Sequence, residues 1–142
     1  MISRHYQTDS QGLTEALIEI QSRTLNRIRK RFVDQVLVET LHRLIDRHPV
    51  ETGRARNAWQ TAQTQLQHGA VADDSTEGGS RFQEDRHVST AEATNRVNYV
   101  MFLEEGTREM RPRHLVAKSL AEVILRIEQI AVPIVREELQ TP

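Results

Sequence analysis

The sequence predicts an α+β domain in which two long helices pack on a small antiparallel sheet, with a long polar loop. Three observations predict it. From Leu13 to Arg47 there is no Gly or Pro, and apolar residues recur mostly three or four apart. A second helical stretch runs from Arg113 toward Leu139. Between them lie Thr-bearing segments interrupted by glycines and acidic residues, a composition that suits strands and loops.

At 142 residues the chain suits one domain, residues 1–142, around a single core. Aromatic residues make up 4%, so that core is expected to be built from Leu, Ile, Val and Ala, which favours helix packing.

The first helix is expected over residues 12–48. Its apolar positions are Leu13, Leu17, Ile20, Leu25, Ile28, Phe32, Val36, Leu37, Leu41, Leu44 and Ile45. Asp9 or Ser10 is placed to cap it, and His48-Pro49 ends it, because the residue before Pro disfavours the helical region. Uninterrupted, such a helix reaches roughly 50 Å, so it either protrudes from the body or bends near Arg29-Lys30-Arg31. Glu19 with Arg23 and Glu39 with Arg43 have the favourable i, i+4 spacing. Arg27, Arg29, Lys30 and Arg31 crowd four cations into five positions that nearby carboxylates do not neutralise, making them candidates for contact with DNA, an acidic partner or a neighbouring subunit.

Residues 52–110 are expected to hold strands, a loop and a short helix. Thr52-Gly53-Arg54 reads as a helix-start turn, with Thr52 as cap and Gly53 in the tight turn, leading into a strand from Trp59 to Leu66. Trp59 is the only Trp and is expected to anchor the core. A flexible loop of about residues 68–87 follows, marked by Gly69, Asp73-Asp74, Gly78-Gly79 and Glu84-Asp85. A second strand is expected from Val88 to Val97. Tyr99, Phe102 and Leu103 then have helical spacing, and Gly106 terminates that turn. The C-terminal helix, residues 113–139, presents Leu115, Leu120, Ile124, Ile127 and Ile130 on one stripe and is expected to kink near Pro133.

The chemistry readable from the residues is structural. With no Cys there are no disulfides, thiolate sites or cysteine nucleophiles. None of the six His residues has metal-ligand spacing, so neither a metal nor a cofactor is expected. Glu104 and Glu105 are adjacent carboxylates pointing about 100° apart on a helix, which prevents them from sharing one acid/base site. Glu104 is expected to bond backbone, or an Arg such as Arg54. Arg54 and Arg56 project from the turn, either into salt bridges or toward DNA phosphate. No enzyme is expected. A formal net charge of -1 implies no bulk attraction to nucleic acid, and the absence of a long apolar run or leader argues for a soluble protein that makes no membrane contact.

Two blocks forty residues apart carry a resemblance. Pro49-Val-Glu-Thr52-Gly53-Arg54-Ala-Arg56-Asn-Ala-Trp59 resembles the turn with a Thr-Gly-Arg-x-Arg core. Val97-Asn98-Tyr99-Val-Met-Phe-Leu103-Glu104-Glu-Gly106-Thr107 is similar to the Asn- and Tyr-bearing segment that closes on Leu-Glu-x-Gly-Thr. Together such blocks mark the tail-completion or neck (head-tail joining) proteins of long-tailed bacteriophages, the group of the lambda Z-type tail component. The resemblance implies a structural virion protein, present in the host cytoplasm during assembly. It implies a homo-oligomeric ring, sixfold or twelvefold, that meets other neck, connector or tail proteins and passes double-stranded DNA through its lumen. Thr52, Gly53, Trp59, Asn98, Tyr99, Leu103, Glu104 and Gly106 are its structural motif. The chain departs from the pattern in its polar insertion before the second strand, in Val100 and Met101, and in Arg111-Pro112-Arg113. The alternative is a small Arg-rich nucleic-acid-binding regulator that uses Arg27 to Arg31 with Arg108, Arg111 and Arg113 as phosphate contacts.

Overall fold

The computed structural model describes the backbone of residues 2–49, 53–68 and 77–140, with side chains from residue 12 onward within them. The elements are α1 (Ile2–Arg47), α2 (Gly53–His68), β1 (Gly78–Glu84), β2 (Ser89–Asn95), α3 (Val100–Glu105), α4 (Leu115–Leu125) and α5 (Ile127–Gln140). The fold is α+β, with long helices around one antiparallel hairpin.

Helix α1 is the spine. Its 46 residues span about 70 Å at 1.5 Å per residue, and they run through Asp9 and Ser10, so neither is the cap expected there. The helix does end at Arg47, and His48 closes it by donating its backbone N–H to Leu44 O at 3.0 Å. Only its second half enters the core. Leu41, Leu44 and Ile45 are at most 7% exposed, whereas Leu13, Leu17, Ile20 and Leu25 of the same apolar series stand in solvent. Along the body α1 meets α2, β2, α4 and α5.

The segment expected as the first strand is instead helix α2. Ala55, Ala58, Trp59 and Ala62 are its buried residues, at helical spacing, and they outweigh the loose Thr alternation. The Thr hydroxyls adapt to this by bonding carbonyls one turn back, Thr61 to Asn57 O and Thr64 to Gln60 O, each at 3.0 Å. Thr52, the expected cap, lies outside the described residues.

The first strand instead falls within the segment expected as a loop. Gly78–Glu84 pairs antiparallel with Ser89–Asn95 in a register from Gly78 with Asn95 to Glu84 with Ser89. Asp85 and Val88 exchange backbone hydrogen bonds across Arg86-His87, closing a two-residue hairpin turn. Gly78 and Ser80 point inward and are buried, and Ser80 N–H donates to Gln65 Oε1 of α2 at 3.0 Å. Glycines and acids concealed this strand because docking on α2 decides its fate, and intrinsic propensity does not.

After β2 the short helix α3 forms as expected. The C-terminal region breaks at Arg126, which separates α4 from α5, and α5 continues through Pro133. Pro133 removes one backbone donor. Burial of Ile134, the next residue, and of Glu138 one turn after it holds α5 on α1 and offsets that loss.

The core joins four helices: Leu41, Leu44 and Ile45 of α1, Trp59 and Ala62 of α2, Leu103 of α3 and Leu115 of α4 form one cluster. Ala55, Ala58 and Val97 form a second, and Tyr99 and Val100 pack against both.

Candidate functional site

The two sequence blocks meet at the N-terminus of α2. Tyr99 Oη accepts the Ala55 backbone N–H at 3.2 Å, satisfying one of the donors that the first helical turn leaves without an internal partner. Asn95 Nδ2 donates to Ala55 O at 2.9 Å, and Asn95 Oδ1 accepts the Val97 N–H at 3.1 Å. Ala55 is thus held from both sides, by Tyr99 of the second block and by Asn95 at the end of β2. Asn98, the expected motif residue, is exposed, and the anchoring amide belongs to Asn95, three residues earlier at the end of β2.

The rest of the second block ties α3 to α4. Leu103 sits in the core at 7% exposure. Glu104 accepts the backbone N–H groups of Val116 at 2.9 Å and Ala117 at 3.0 Å, so its carboxylate caps α4 from outside the helix. It bonds backbone, and Arg54 goes elsewhere. The residue at the cap position itself, His114, is left-handed at φ 48 and makes no side-chain cap bond, which is why a distant carboxylate serves. Gly106 has φ +80, and a Cβ there would lie 2.7 Å from Pro112 N and 2.8 Å from Met110 O. Only glycine fits. Thr107 completes the turn, its Oγ1 accepting the Glu109 and Met110 N–H groups.

Glu104→Ala is expected to cost about 1–2 kcal/mol through the lost cap. The loss should be measured by urea denaturation, with slower-exchanging amides at Val116 and Ala117 becoming unprotected. Unchanged exchange at those two amides would refute the capping role.

Arg54 forms a bidentate pair with Glu77, with Nε 2.6 and 2.8 Å from the two carboxylate oxygens and Nη2 on Oε1. This pair fastens the start of α2 to the start of β1. The hydrogen bonds raise the Arg54 pKa and hold the Glu77 carboxyl below its ordinary range. With Gly53, Asn57, Thr61 and Gly78 the pair lines an open cleft of about 590 Å³. Arg56 is half-buried, and its Nε lacks a hydrogen-bond partner. Trp59 is 7% exposed within the main core cluster.

The cations of α1 have partners that lie far along the chain. Arg27 Nε donates to Glu138 at 2.9 Å, and Arg31 donates to Glu138 at 3.0 Å and to Glu137 at 2.7 Å. Glu138 has a side chain 10% exposed, and its two guanidinium partners, Arg27 first, hold its pKa low. Arg29 donates to Ser89 Oγ at 3.0 Å and Asn26 Oδ1 at 2.8 Å, while Lys30 stands 5.4 Å over the Phe82 ring. Carboxylates distant in the sequence, rather than nearby ones, pair with the cluster, which clamps α5 and the hairpin onto α1. Arg43 likewise leaves the expected Glu39 partner for Glu122 at 3.0 Å, and Arg47 joins it there. The Glu19–Arg23 pair forms as spaced. Sequence spacing gave no signal for Glu77, Glu122, Glu137 or Glu138, because each partner comes from another element.

His48, 3% exposed, lacks hydrogen-bond partners on both ring nitrogens. Burial lowers its pKa, and the charges of Arg56 and Arg113 lower it further. A depressed imidazole contributes stability that is present above its unfolded value of 6.5 and is lost as pH falls below that value toward the folded pKa. The low Glu77 and Glu138 pKa values contribute stability present above 4.5 and lost as pH falls through their folded values. Asp34, raised by burial, works in the opposite sense. The expected result is a urea midpoint that declines below pH 6.5 and again below 4.5, with the first decline removed in His48→Gln. A flat midpoint between pH 7.5 and 5.5 in the native sequence would refute the assignment to His48.

Among the described residues, no group of three or more His, Cys, Asp or Glu could hold a metal ion, and no helix is long and apolar enough to cross a membrane. Comparison with protein-family models, curated proteins and solved structures found no match for this chain.

Proposed function

We propose that this chain is a structural subunit of a long-tailed bacteriophage, forming a ring at the head-tail junction through which DNA passes. The observation that carries the reading is the meeting of the two sequence blocks at Ala55, whose N–H is held by Tyr99. In that unit Tyr99, Leu103, Glu104, Gly106 and Thr107 each have a packing, capping or turn role. Each oxygen of Glu104 accepts a backbone donor of α4, which gives that carboxylate a capping role. The unit therefore supports a part that is shaped to fit neighbours, with no bond made or broken.

Extensive exposed apolar surface on α1, α4 and α5 also supports assembly, because such surface in water favours association. The regulator alternative draws on Arg27, Arg29, Lys30 and Arg31, whose side chains are engaged within the chain.

Electron microscopy of the purified protein and of particles tests the reading. Expected are closed rings with a central opening, and unjoined heads and tails when the protein is withheld. Normally joined virions made without it would overturn the proposal, as would strong salt-dependent binding of the isolated domain to duplex DNA, which a regulator would show.

A further inference from the structure

Helix α4 is apolar on two faces. Leu115, Ser119 and Val123 are buried against the body, yet Ala117, Leu120, Ala121 and Ile124 are exposed, Ile124 by 52%. A helix with apolar residues on two faces calls for cover on both. Leu125 at the end of α4 and Ile127, Val132 and Leu139 of α5 are also exposed. A second apolar surface lies on the N-terminal part of α1, where Leu13, Leu17, Ile18, Ile20 and Leu25 are 49–62% exposed. Of the large hydrophobics exposed among the described residues, only Val88, Met101 and Phe102 fall outside these two surfaces. The apolar area is concentrated, not scattered.

The arm and the outer face of α4 do not reach each other within one chain. Arg27 and Arg31 of α1 face Glu138, whereas Arg43 and Arg47 face Glu122, so α1 runs antiparallel to α4 and α5. Residues 12–23 extend beyond the end of α5. Ile20 is thereby about 35 Å along α1 from the level of Glu122, at 1.5 Å per residue. Each surface needs a second molecule.

We propose that residues 12–25 of α1 lie across the outer face of α4 and α5 of a neighbouring copy, and that this contact joins the subunits. The inference deepens the ring reading above and rests on its requirement for self-assembly. Charge favours this occupant. The arm carries Glu15 and Glu19 with Arg23, while the outer face carries Lys118, Arg126 and Arg136 with Glu128 and Glu137, so the two surfaces differ in sign. Pairing of arm with arm would leave α4 uncovered, and Leu13, Leu17 and Ile20 form a stripe shorter than the roughly three heptads of a coiled coil. Passed from each copy to the next rather than exchanged between two, the contact is heterologous and repeats about an axis, as the ring reading requires.

The chain has no Cys, so introduced thiols report on this contact alone. Full-length Leu17→Cys and Ile124→Cys proteins, purified separately, should cross-link when mixed and oxidised, and the chain carrying both should give a covalent ladder. Leu17→Glu with Ile20→Glu alters exposed positions, so the circular dichroism spectrum and Tm should persist while self-association weakens by about 100-fold in sedimentation. Cross-linking of Leu17→Cys with itself alone would overturn the proposal in favour of arm-on-arm pairing. A monomer at every concentration with no mixed cross-link would also overturn it. A ladder from a protein absent from virions would sink the virion reading and leave this contact standing. Rings in virions without the Leu17–Ile124 cross-link would sink this contact alone.

Discussion

Gly78→Ala is expected to destabilise the protein by about 3 kcal/mol or more, the upper range for forcing volume into a packed site. A Cβ at Gly78 would lie 1.7 Å from Ala58 O, 2.4 Å from Ala58 C and 2.7 Å from Ala58 Cα. All three are backbone atoms of a helix, so no side-chain rotation relieves the clash. The hairpin must move off α2, which also parts Glu77 from Arg54 and Ser80 N–H from Gln65. Urea denaturation followed by far-ultraviolet circular dichroism should show a lower midpoint with little change in slope. A midpoint equal to that of the native sequence would show that β1 does not press on α2 as described.

Trp59→Ala is expected to cost about 3–5 kcal/mol, the range for emptying a large aromatic site. Trp59 is 7% exposed and lies in the cluster that joins Leu41, Leu44 and Ile45 to Ala62, Leu103 and Leu115. Since domains are stable by about 5–15 kcal/mol in total, this one loss leaves little margin at 37 °C. The only Trp is removed, so the comparison must use circular dichroism and not tryptophan emission. A loss below about 1 kcal/mol would place Trp59 at the edge of the core and would undermine the view that α2 is its central layer.

The two predictions involve α2 and β1, the elements that sequence patterns described least well. Trp59 to Leu66 carries Thr at two positions and alternates loosely, so its period was ambiguous over so short a window. Extending the window back to Ala55 and Ala58 reveals the helical stripe, but small Ala side chains give a weak hydrophobic signal. For β1 no extension of the window helps. Gly78 and Gly79 read as loop, and they are strand residues because the backbone of α2 approaches too closely for any Cβ at Gly78. At the site, Tyr99, Leu103, Glu104 and Gly106 were legible from spacing and residue type. Asn95 was not, since its role depends on where β2 ends relative to Ala55.

Local chemistry alone was enough to place the stop of α1 at His48-Pro49, the short helix before Gly106, and a helix-rich core poor in aromatic residues. These follow from backbone sterics and from side-chain periodicity, which act over a few residues. The ion pairs behaved differently. Arg27 and Arg31 reach Glu138, and Arg43 and Arg47 reach Glu122, across separations that no i, i+4 rule describes. Whether a cation is a free patch or a clamp, and whether a leucine is core or exposed arm, depends on which elements pack together. Packing is a long-range property, decided by the free energy of the whole chain and written in no single stretch of it.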